Sequence, residues 1–415
     1  MHRLAACGTT NDKLKFIGPQ RVSNMSTPEI TQQVKIGKLK IPTEALRAYT
    51  MMFALVVIWL FFQWATVDAR NPYGLFLSAV NFSKLMQQTA VTGVLAVGML
   101  MVIVSGNIDL SVGSLVGLAG ATAALSQGRG LLFTLVAAIV VGVGVGAFQG
   151  ALVAYVNVPA FIVTLGGLLA WPGLSFWRTQ GSTIPVDIPF FRALGSESIP
   201  RNVGYVLAAL AMATIIWSNV QRNRSRRRHG LSARGLVATL ASIIIPSVII
   251  VAFVRLMNLQ DGVPIPFIIM FVVALIGVFL TQNTTFGRYL YAIGGNPEAA
   301  RLSGINLRRH ILAVFALMGA LVGVAAILHT ARLAAATPDA GRLMELDAIA
   351  ACVIGGTSLM GGRGTVFGAI VGALIMASLD NGMNLVGVQS YVQPIVKGAV
   401  LVTAVGLDMA GRRKS

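Results

Sequence analysis

Residues 131–155 read LLFTLVAAIVVGVGVGAFQGALVAY, a run without a single charged side chain. About 20 apolar residues coiled as an α-helix cross the ~30 Å hydrocarbon core of a bilayer, and the helix satisfies every backbone polar group within the segment. Similar runs recur along most of the chain. Their Leu, Val, Ala and Gly content fits helices, whereas a membrane barrel would show shorter segments of alternating polarity. The expected fold is therefore all-α and polytopic. Composition agrees, with 55% hydrophobic and 11% charged residues and a mean hydropathy of +0.77, against a charged share of roughly a quarter in soluble domains. The chain contains 45 glycines, which let helix backbones approach closely where lipid supplies no hydrophobic drive for association.

Working outward from that run, apolar segments fall at 50–66, 85–105, a span reaching 126 after a polar break at 106–113, 131–155, 159–177, 203–219, 235–257, 264–280, 310–331, 345–360, 365–384 and 391–408. The formal charge of +18 is gathered in a few segments between these runs, which makes it a topology signal rather than a nucleic-acid footprint. The basic regions are the leader, the run from Arg222 to Arg234, the stretch with Arg288, Arg301, Arg308 and Arg309, and the tail Arg412, Arg413 and Lys414. Twelve crossings place all four on one side, with both termini cytoplasmic. If the breaks near 107 and 380 or the Gly-Gly-Arg-Gly at 361–364 mark re-entrant or broken helices, the count falls to between ten and twelve.

The chain thus divides into a polar, basic cytoplasmic leader (1–48), one transmembrane domain (49–410) with a cytoplasmic basic loop at 220–234, and a basic tail (411–415). The leader lacks the apolar core of a cleavable signal peptide, and Met25 is a second candidate start. Residues 178–200 mix charges with prolines and read as an exposed outer loop. Cys7 and Cys352 form no disulfide framework, and the four histidines make no metal-ligand cluster.

The stretch 284–309 is the one long polar insert that carries helix-capping signals. Asn296 suits an N-cap, Pro297 the first helical position, and Glu298, Ala299, Ala300, Arg301 and Leu302 a short helix ended by Gly304. Glu298 near the positive end and Arg301 nearer the negative end complement the helix dipole. A helix this short is marginal alone in water, so it reads either as a docking handle completed by a partner or as an ordinary capped loop.

Polar residues within apolar surroundings mark candidate sites. Asn107, Asp109, Ser111, Phe161, Thr164, Asn381 and Asn384 are the candidate solute pathway, with Gln149, Asn157, Trp171, Asp380 and Gln393 beside them. Their mostly neutral donors and acceptors suit a polyhydroxylated, uncharged solute better than an ion. Two alternatives stay open: Asp109 caps the following helix, and 380–384 is a helix end at the interface. No catalytic constellation of nucleophile, base and orienting group occurs. No phosphate loop ending in Lys-Ser/Thr is present either, so the chain does not itself hydrolyse ATP.

Four segments, GNIDLSVGSLVGLAG (106–120), NVPAFIVTLGG (157–167), TTFGRYLYAIGGNPEAARLSGI (284–305) and VIGGTSLMGGRGTVFGAIVGA (353–373), resemble the ribose/xylose/arabinose permease family of ABC importers, in matching order. Chain length, the extra spans at 203–257 and LGGLLAWPGLSFW (165–177) are similar to its D-xylose branch. The resemblance implies the permease subunit of an importer for D-xylose or another pentose, acting as a homodimer in the bacterial inner membrane. Its implied partners are an ATPase subunit that uses ATP and Mg, a periplasmic sugar-binding protein and the lipid bilayer, with no nucleic acid. Gly295, Asn296, Pro297, Glu298, Ala299, Ala300, Arg301 and Gly304 then form the ATPase-coupling helix. No cofactor and no metal is expected on this chain. The competing readings are a self-sufficient secondary sugar transporter and a membrane-bound enzyme or scaffold.

Overall fold

The structure, a computed structural model, describes residues 33–36, 39–68, 71–228 and 235–413. Most of the basic leader, with Cys7 and Met25, lies outside the described residues, as do 229–234 of the basic loop and the last two residues.

Residues up to Leu46 form a unit of their own. In it β1 (Gln33–Ile36) pairs antiparallel with β2 (Leu39–Pro42), Val34 opposite Ile41. The leader therefore contains a ribbon that the sequence reading did not foresee, although Val34, Ile36, Leu39 and Ile41 alternate with polar neighbours at the period of a strand.

The second unit, from Arg47 onward, is built of helices: α1 (Thr43–Ala65) continues into it, followed by α2 (Ala79–Val104), α3 (Val112–Ser126), α4 (Leu131–Ala154), α5 (Ala160–Thr179), α6 (Pro189–Ser196), α7 (Arg201–Arg228), α8 (Leu236–Asn258), α9 (Ile265–Asn283), α10 (Thr285–Gly295), α11 (Pro297–Leu302), α12 (Leu307–Leu333), α13 (Met344–Ile354), α14 (Val366–Leu385) and α15 (Val392–Arg413). One two-residue ribbon interrupts the all-helical pattern, β3 (Ile184–Pro185) against β4 (Ala335–Ala336).

Among the described residues eight helices are long and apolar enough to cross a membrane: α2, α4, α5, α7, α8, α9, α12 and α14. Shorter apolar segments occupy Thr50–Ala65 in α1 and Val392–Thr403 in α15. Four of the twelve expected spans fall short of this, those of α1 and α15 and two more. α3 has 15 residues and α13 has 11, about 22 and 16 Å at the helical rise, short of the ~30 Å core. Each follows a non-helical stretch, 105–111 before α3 and 334–343 before α13. The first turn of α3 meets the second of these stretches: a Cβ on Gly113 would overlap the Gly341 carbonyl oxygen and Glu345, and one on Gly341 would overlap the Gly113 carbonyl. Within 334–343 Ala336 and Gly341 are buried and Asp339, Arg342 and Leu343 are exposed.

α2 forms the centre. Of its apolar stretch 83% is buried within the protein, against 6% of that of α8, so α2 is a core helix and α8 presents its side chains outward, as an apolar helix does toward lipid. α12 packs along α4, α2 and α3. Its contact with α4 is backbone on backbone, since a Cβ on Gly142 would overlap the Gly319 carbonyl oxygen and the reverse also holds. Polar groups add bonds between helices: Trp59 Nε1 donates to Ser378 Oγ at 2.9 Å and Asn81 Nδ2 to Asn381 Oδ1 at 2.8 Å. Such bonds are worth about 1 kcal/mol each inside a membrane. Cys352 is buried, its Sγ 3.3 Å from the Ala96 carbonyl oxygen.

Two boundaries moved. The basic run is helical through Arg228 as the end of α7, because Arg is a good helix former and no Gly or Pro intervenes. The stretch 178–200, expected as an exposed loop, includes α6, whose Phe191 is fully buried and whose Gly195 lies directly against Ala331 and Arg332 of α12.

Candidate functional site

The insert at 284–309 folds as its capping residues specify. Thr284 Oγ1 accepts from Gly287 N at 3.2 Å to open α10. Asn296, extended at φ −158°, opens α11 by accepting from Glu298 N at 3.1 Å and Ala299 N at 3.0 Å. Pro297 occupies the first turn, where a missing N–H is harmless. At the other end Gly304 takes a left-handed φ of +83°, its N–H reaching the Arg301 carbonyl and that of Ile305 the Ala300 carbonyl, a C-terminal cap that favours glycine. Asn306 then caps α12 through Arg309 N at 3.1 Å.

α11 is held by one side and bare on the other. Ala300 is buried, whereas Leu302 is 79% exposed. The Glu298–Arg301 pair, 4.0 Å apart and mostly exposed, contributes under about 1 kcal/mol. The base of the insert is fixed by close backbone contact. A Cβ on Gly294 would overlap the Val104 carbonyl oxygen at the end of α2, and Gly362 N donates to that same oxygen at 2.9 Å. Tyr291 donates to the Gly364 carbonyl at 2.7 Å, and burial raises its hydroxyl above the usual phenol range, so it remains a donor. The insert, the end of α2 and the loop before α14 thus share one joint.

The polar break draws four of the candidate pathway residues together. Asp109 Oδ1 accepts from Ser111 N at 2.9 Å and from Ser111 Oγ at 2.7 Å. Gln149 of α4 donates to Ser111 Oγ at 2.9 Å, and Thr164 Oγ1 of α5 reaches the Ile108 carbonyl at 3.3 Å. Asn107 folds back on Ser105 Oγ at 3.1 Å. Asp109, Ser111, Gln149 and Thr164 are all buried. Asp109 therefore fixes the turn ahead of α3, which starts at Val112, two residues after the start expected near Leu110. Asp109→Ala should leave the buried Ser111 N–H without an acceptor, lowering stability by about 1–3 kcal/mol, whereas Asp109→Asn keeps an Oδ1 in place. Thermal unfolding of purified protein measures this, and an unchanged Asp109→Ala transition would show that the turn does not depend on the carboxylate.

The other candidates lie apart. Phe161 is 55% exposed on α5. Asn157 adopts a left-handed φ of 61° between α4 and α5. Asn381 is spent on Asn81, and Asn384 accepts from Gln393 Nε2 at 2.8 Å. A cavity of about 300 Å³ between α4 and α5 is lined mainly by apolar side chains, with Gln149 and Trp171 at its wall.

A second polar group gathers on α13, α14 and α15. Lys397 Nζ lies 2.9 Å from Asp347 Oδ1 and 2.8 Å from Asp380 Oδ1, with Arg332 of α12 acting on Asp380 through space. Of these, only Asp380 stood among the sequence candidates. The missed signal was a charge inside an apolar run, Lys397 within 391–408 and Asp347 within 345–360, which is rare without a role.

Compared with known proteins, residues 81–405 match the family model for the permease component of branched-chain amino acid transport systems. The chain is 45% identical over 392 residues to the xylose transport system permease protein XylH of Escherichia coli (strain K12), covering 91% of this chain and 98% of that one. It is 44% identical over 379 residues to XylH of Haemophilus influenzae, covering 90% and 99%. The ribose import permease protein RbsC of Escherichia coli (strain K12) is 38% identical over 346 residues, covering 83% and 89%. No solved structure matches the chain.

Proposed function

The chain belongs to this family of transport-system permeases, a transporter family and not an enzyme family, and from that premise we propose that it is the membrane-spanning subunit of an ATP-driven importer for monosaccharides, with D-xylose or another pentose as solute. Similarity along almost the whole length of the xylose permeases supports the pentose, and the neutral polar groups at the break suit an uncharged polyol.

The topology has twelve crossings with both termini in the cytoplasm of a bacterial cell, and the protein sits in the inner membrane. The eight long helices, α1 and α15 each cross once. α3 and α13 complete two further crossings together with the non-helical stretches that precede them. The arginines of α7, the insert at 284–309 and the tail then share the cytoplasmic side, as positive-inside sorting demands.

The observation that carries the reading is α11, a helix capped at both ends, anchored by Ala300 and bare outward. In this role Gly295, Asn296, Pro297, Glu298, Ala299, Ala300, Arg301 and Gly304 form the surface on which a separate ATPase subunit docks. ATP and Mg act in that subunit, and this chain binds neither. A periplasmic sugar-binding protein delivers the solute to a dimer of this chain. Closure of the ATPase shifts α11, and the joint at Gly294, Val104 and Gly362 passes the shift to α2, α13 and α14, moving the dimer between outward- and inward-facing states. Sugar needs only modest affinity along the path, including the break with Asn107, Asp109, Ser111 and Thr164, because it biases the two states only by its differential contacts.

Co-purification with the ATPase, then sugar-stimulated ATP hydrolysis and uptake in proteoliposomes across pentoses and hexoses, tests this. Glu298→Arg, at an exposed position, and Gly304→Val, which strains the left-handed C-terminal cap of α11, should uncouple hydrolysis from uptake while the long apolar helices stay folded. Normal coupling in both variants would remove α11 from this role. Uptake by this chain alone under an ion gradient would favour a self-sufficient carrier.

A further inference from the structure

We propose that the groove between α13 and α15 is a station for a neutral monosaccharide on the translocation path, with Asp347, Lys397, Gln393 and Ser390 hydrogen-bonding its hydroxyls. The inference rests on the permease reading above and adds a site to it.

The groove encloses about 160 Å³ and is lined by Asp347, Ser390, Gln393 and Lys397 together with apolar Leu346 and Met376. That is below the roughly 300–1,000 Å³ of pockets for drug-sized ligands, so it suits one small solute. Its chemistry matches a polyol. Each carboxylate offers two acceptor oxygens to neighbouring hydroxyls, the ammonium three donors and the Gln393 amide both kinds, while each sugar hydroxyl donates and accepts. Asp347, Asp380, Lys397 and nearby Arg332 sum to no formal charge, so the station offers hydrogen bonds without a net field that would hold an ion. The apolar residues of the wall face the C–H surfaces of such a ring.

Position supports the same role. The three ion-pair members sit on segments that cross the membrane, and ionisable groups there face a bundle interior or a water-filled cavity because lipid cannot solvate them. Yet the groove is not sealed: Ser390, Pro394 and Gly398 are exposed, as is Leu346. Charges that are neither sealed in protein nor solvated by lipid must look onto water. The groups of the groove are themselves paired, Lys397 Nζ with both Asp347 oxygens at 2.9 and 3.0 Å and Gln393 Nε2 with Asn384 Oδ1 at 2.8 Å, so sugar hydroxyls compete with these bonds.

The groove is also placed to respond to docking. α13 carries Asp347 in its first turn, and the loop that follows it reaches Val104 through Gly362, at the joint with Gly294. A shift of α11 therefore bears on the helices that hold Asp347 and Asp380 while α15 holds Lys397, which would change the spacing of the sugar's partners between the two states.

The test uses the complete complex of permease, ATPase and binding protein in proteoliposomes, reading radiolabelled D-xylose uptake and binding-protein-stimulated ATP hydrolysis side by side. Asp347→Asn, Lys397→Gln and Gln393→Ala are expected to lower uptake at least about tenfold while stimulated hydrolysis stays within about twofold of the unmodified complex, the pattern of a lost solute contact in an intact machine. Gly398→Phe, at a position where an added Cβ meets nothing within 4 Å, should block uptake by filling the groove. The exchange Asp347→Lys with Lys397→Asp keeps a pair but inverts the pattern offered to sugar, and it should not restore uptake. Restoration by the exchange, or unmodified uptake in a folded Gly398→Phe complex, would overturn the station and leave the ion pairs as structural ties. Failure of the unmodified complex to import any pentose or hexose counts instead against the permease reading itself.

Discussion

Gly319→Val in α12 is expected to prevent recovery of the folded protein, whereas Gly144→Val in α4 is expected to leave it intact. Both replace a glycine in a membrane helix by the same β-branched side chain, so propensity and hydrophobicity cancel. What differs is the neighbour. A Cβ at Gly319 would overlap the Gly142 carbonyl oxygen, part of the opposing helix backbone, while a Cβ at Gly144 meets nothing within 4 Å. A flexible side chain can turn aside from an added methyl, but a helix backbone can give way only by moving the whole helix. Overpacking a close contact costs about 1–3 kcal/mol when the surroundings can adjust, and α12 adjusts poorly because it also packs on α2 and α3. Lipid offers no hydrophobic drive to push the separated helices back together. Size-exclusion profiles and unfolding temperatures in detergent measure the contrast; a monodisperse Gly319→Val of normal stability would show that the α4–α12 contact is not the support described above.

Gly294→Ala is expected to abolish coupled uptake, and Gly173→Ala in α5 to preserve it. One added methyl at Gly294 would overlap the Val104 carbonyl oxygen and lie 2.8 Å from Gly362 N, wedging apart the hydrogen bond that joins those two residues. Gly173 is exposed, and its added methyl has no neighbour within 4 Å. The joint sits at the last residue of α2 and not along the length of a helix pair, so Gly294→Ala should still yield protein that assembles with its ATPase. Uptake in the reconstituted complex should fall at least about tenfold, a rise of roughly 1.4 kcal/mol in the limiting barrier, with hydrolysis no longer answering the loaded binding protein. Equal uptake by the two variants would show that the docking insert does not act through the end of α2.

The insert at 284–309 was legible residue by residue because caps act over three or four positions. Asn296, Pro297 and Gly304 serve groups within their own turn, and nothing distant had to be known to place them. The long apolar helices were legible for a similar reason, since the length of an apolar run is a property of the chain alone. The failures share an opposite cause. An apolar residue reads the same in a helix or in a buried extended stretch, so the apolar character of 345–360 concealed that α13 ends at Ile354, whereas the break ahead of α3 was marked by the polar stretch 106–113. The burial of Phe191 and the pairing of Ile184 with Ala336 depend on where α12 ends, which no local pattern in 178–200 records.

The candidate pathway divided along the same line. Asp109 and Ser111 are two residues apart, and their bond is a local turn ahead of α3, whose N-cap is Ser111. Gln149 enters that network from α4, and the Asn81–Asn381 bond joins two ends of the chain. Asp347, Asp380 and Lys397 were each visible as polar residues in apolar sequence, but their convergence was not.

By itself, then, the amino-acid sequence determined that the protein is a helical membrane protein, which side its charges favour, and where a short capped helix interrupts it, because apolar run length, charge placement and capping are decided over a few turns of chain. Only the tertiary structure decided how short α3 and α13 are, which glycines are places of backbone contact, and that three charges from α13, α14 and α15 meet. Those outcomes depend on how helices distant in sequence pack against one another, and in a chain this uniformly apolar many pairings look alike until backbones meet.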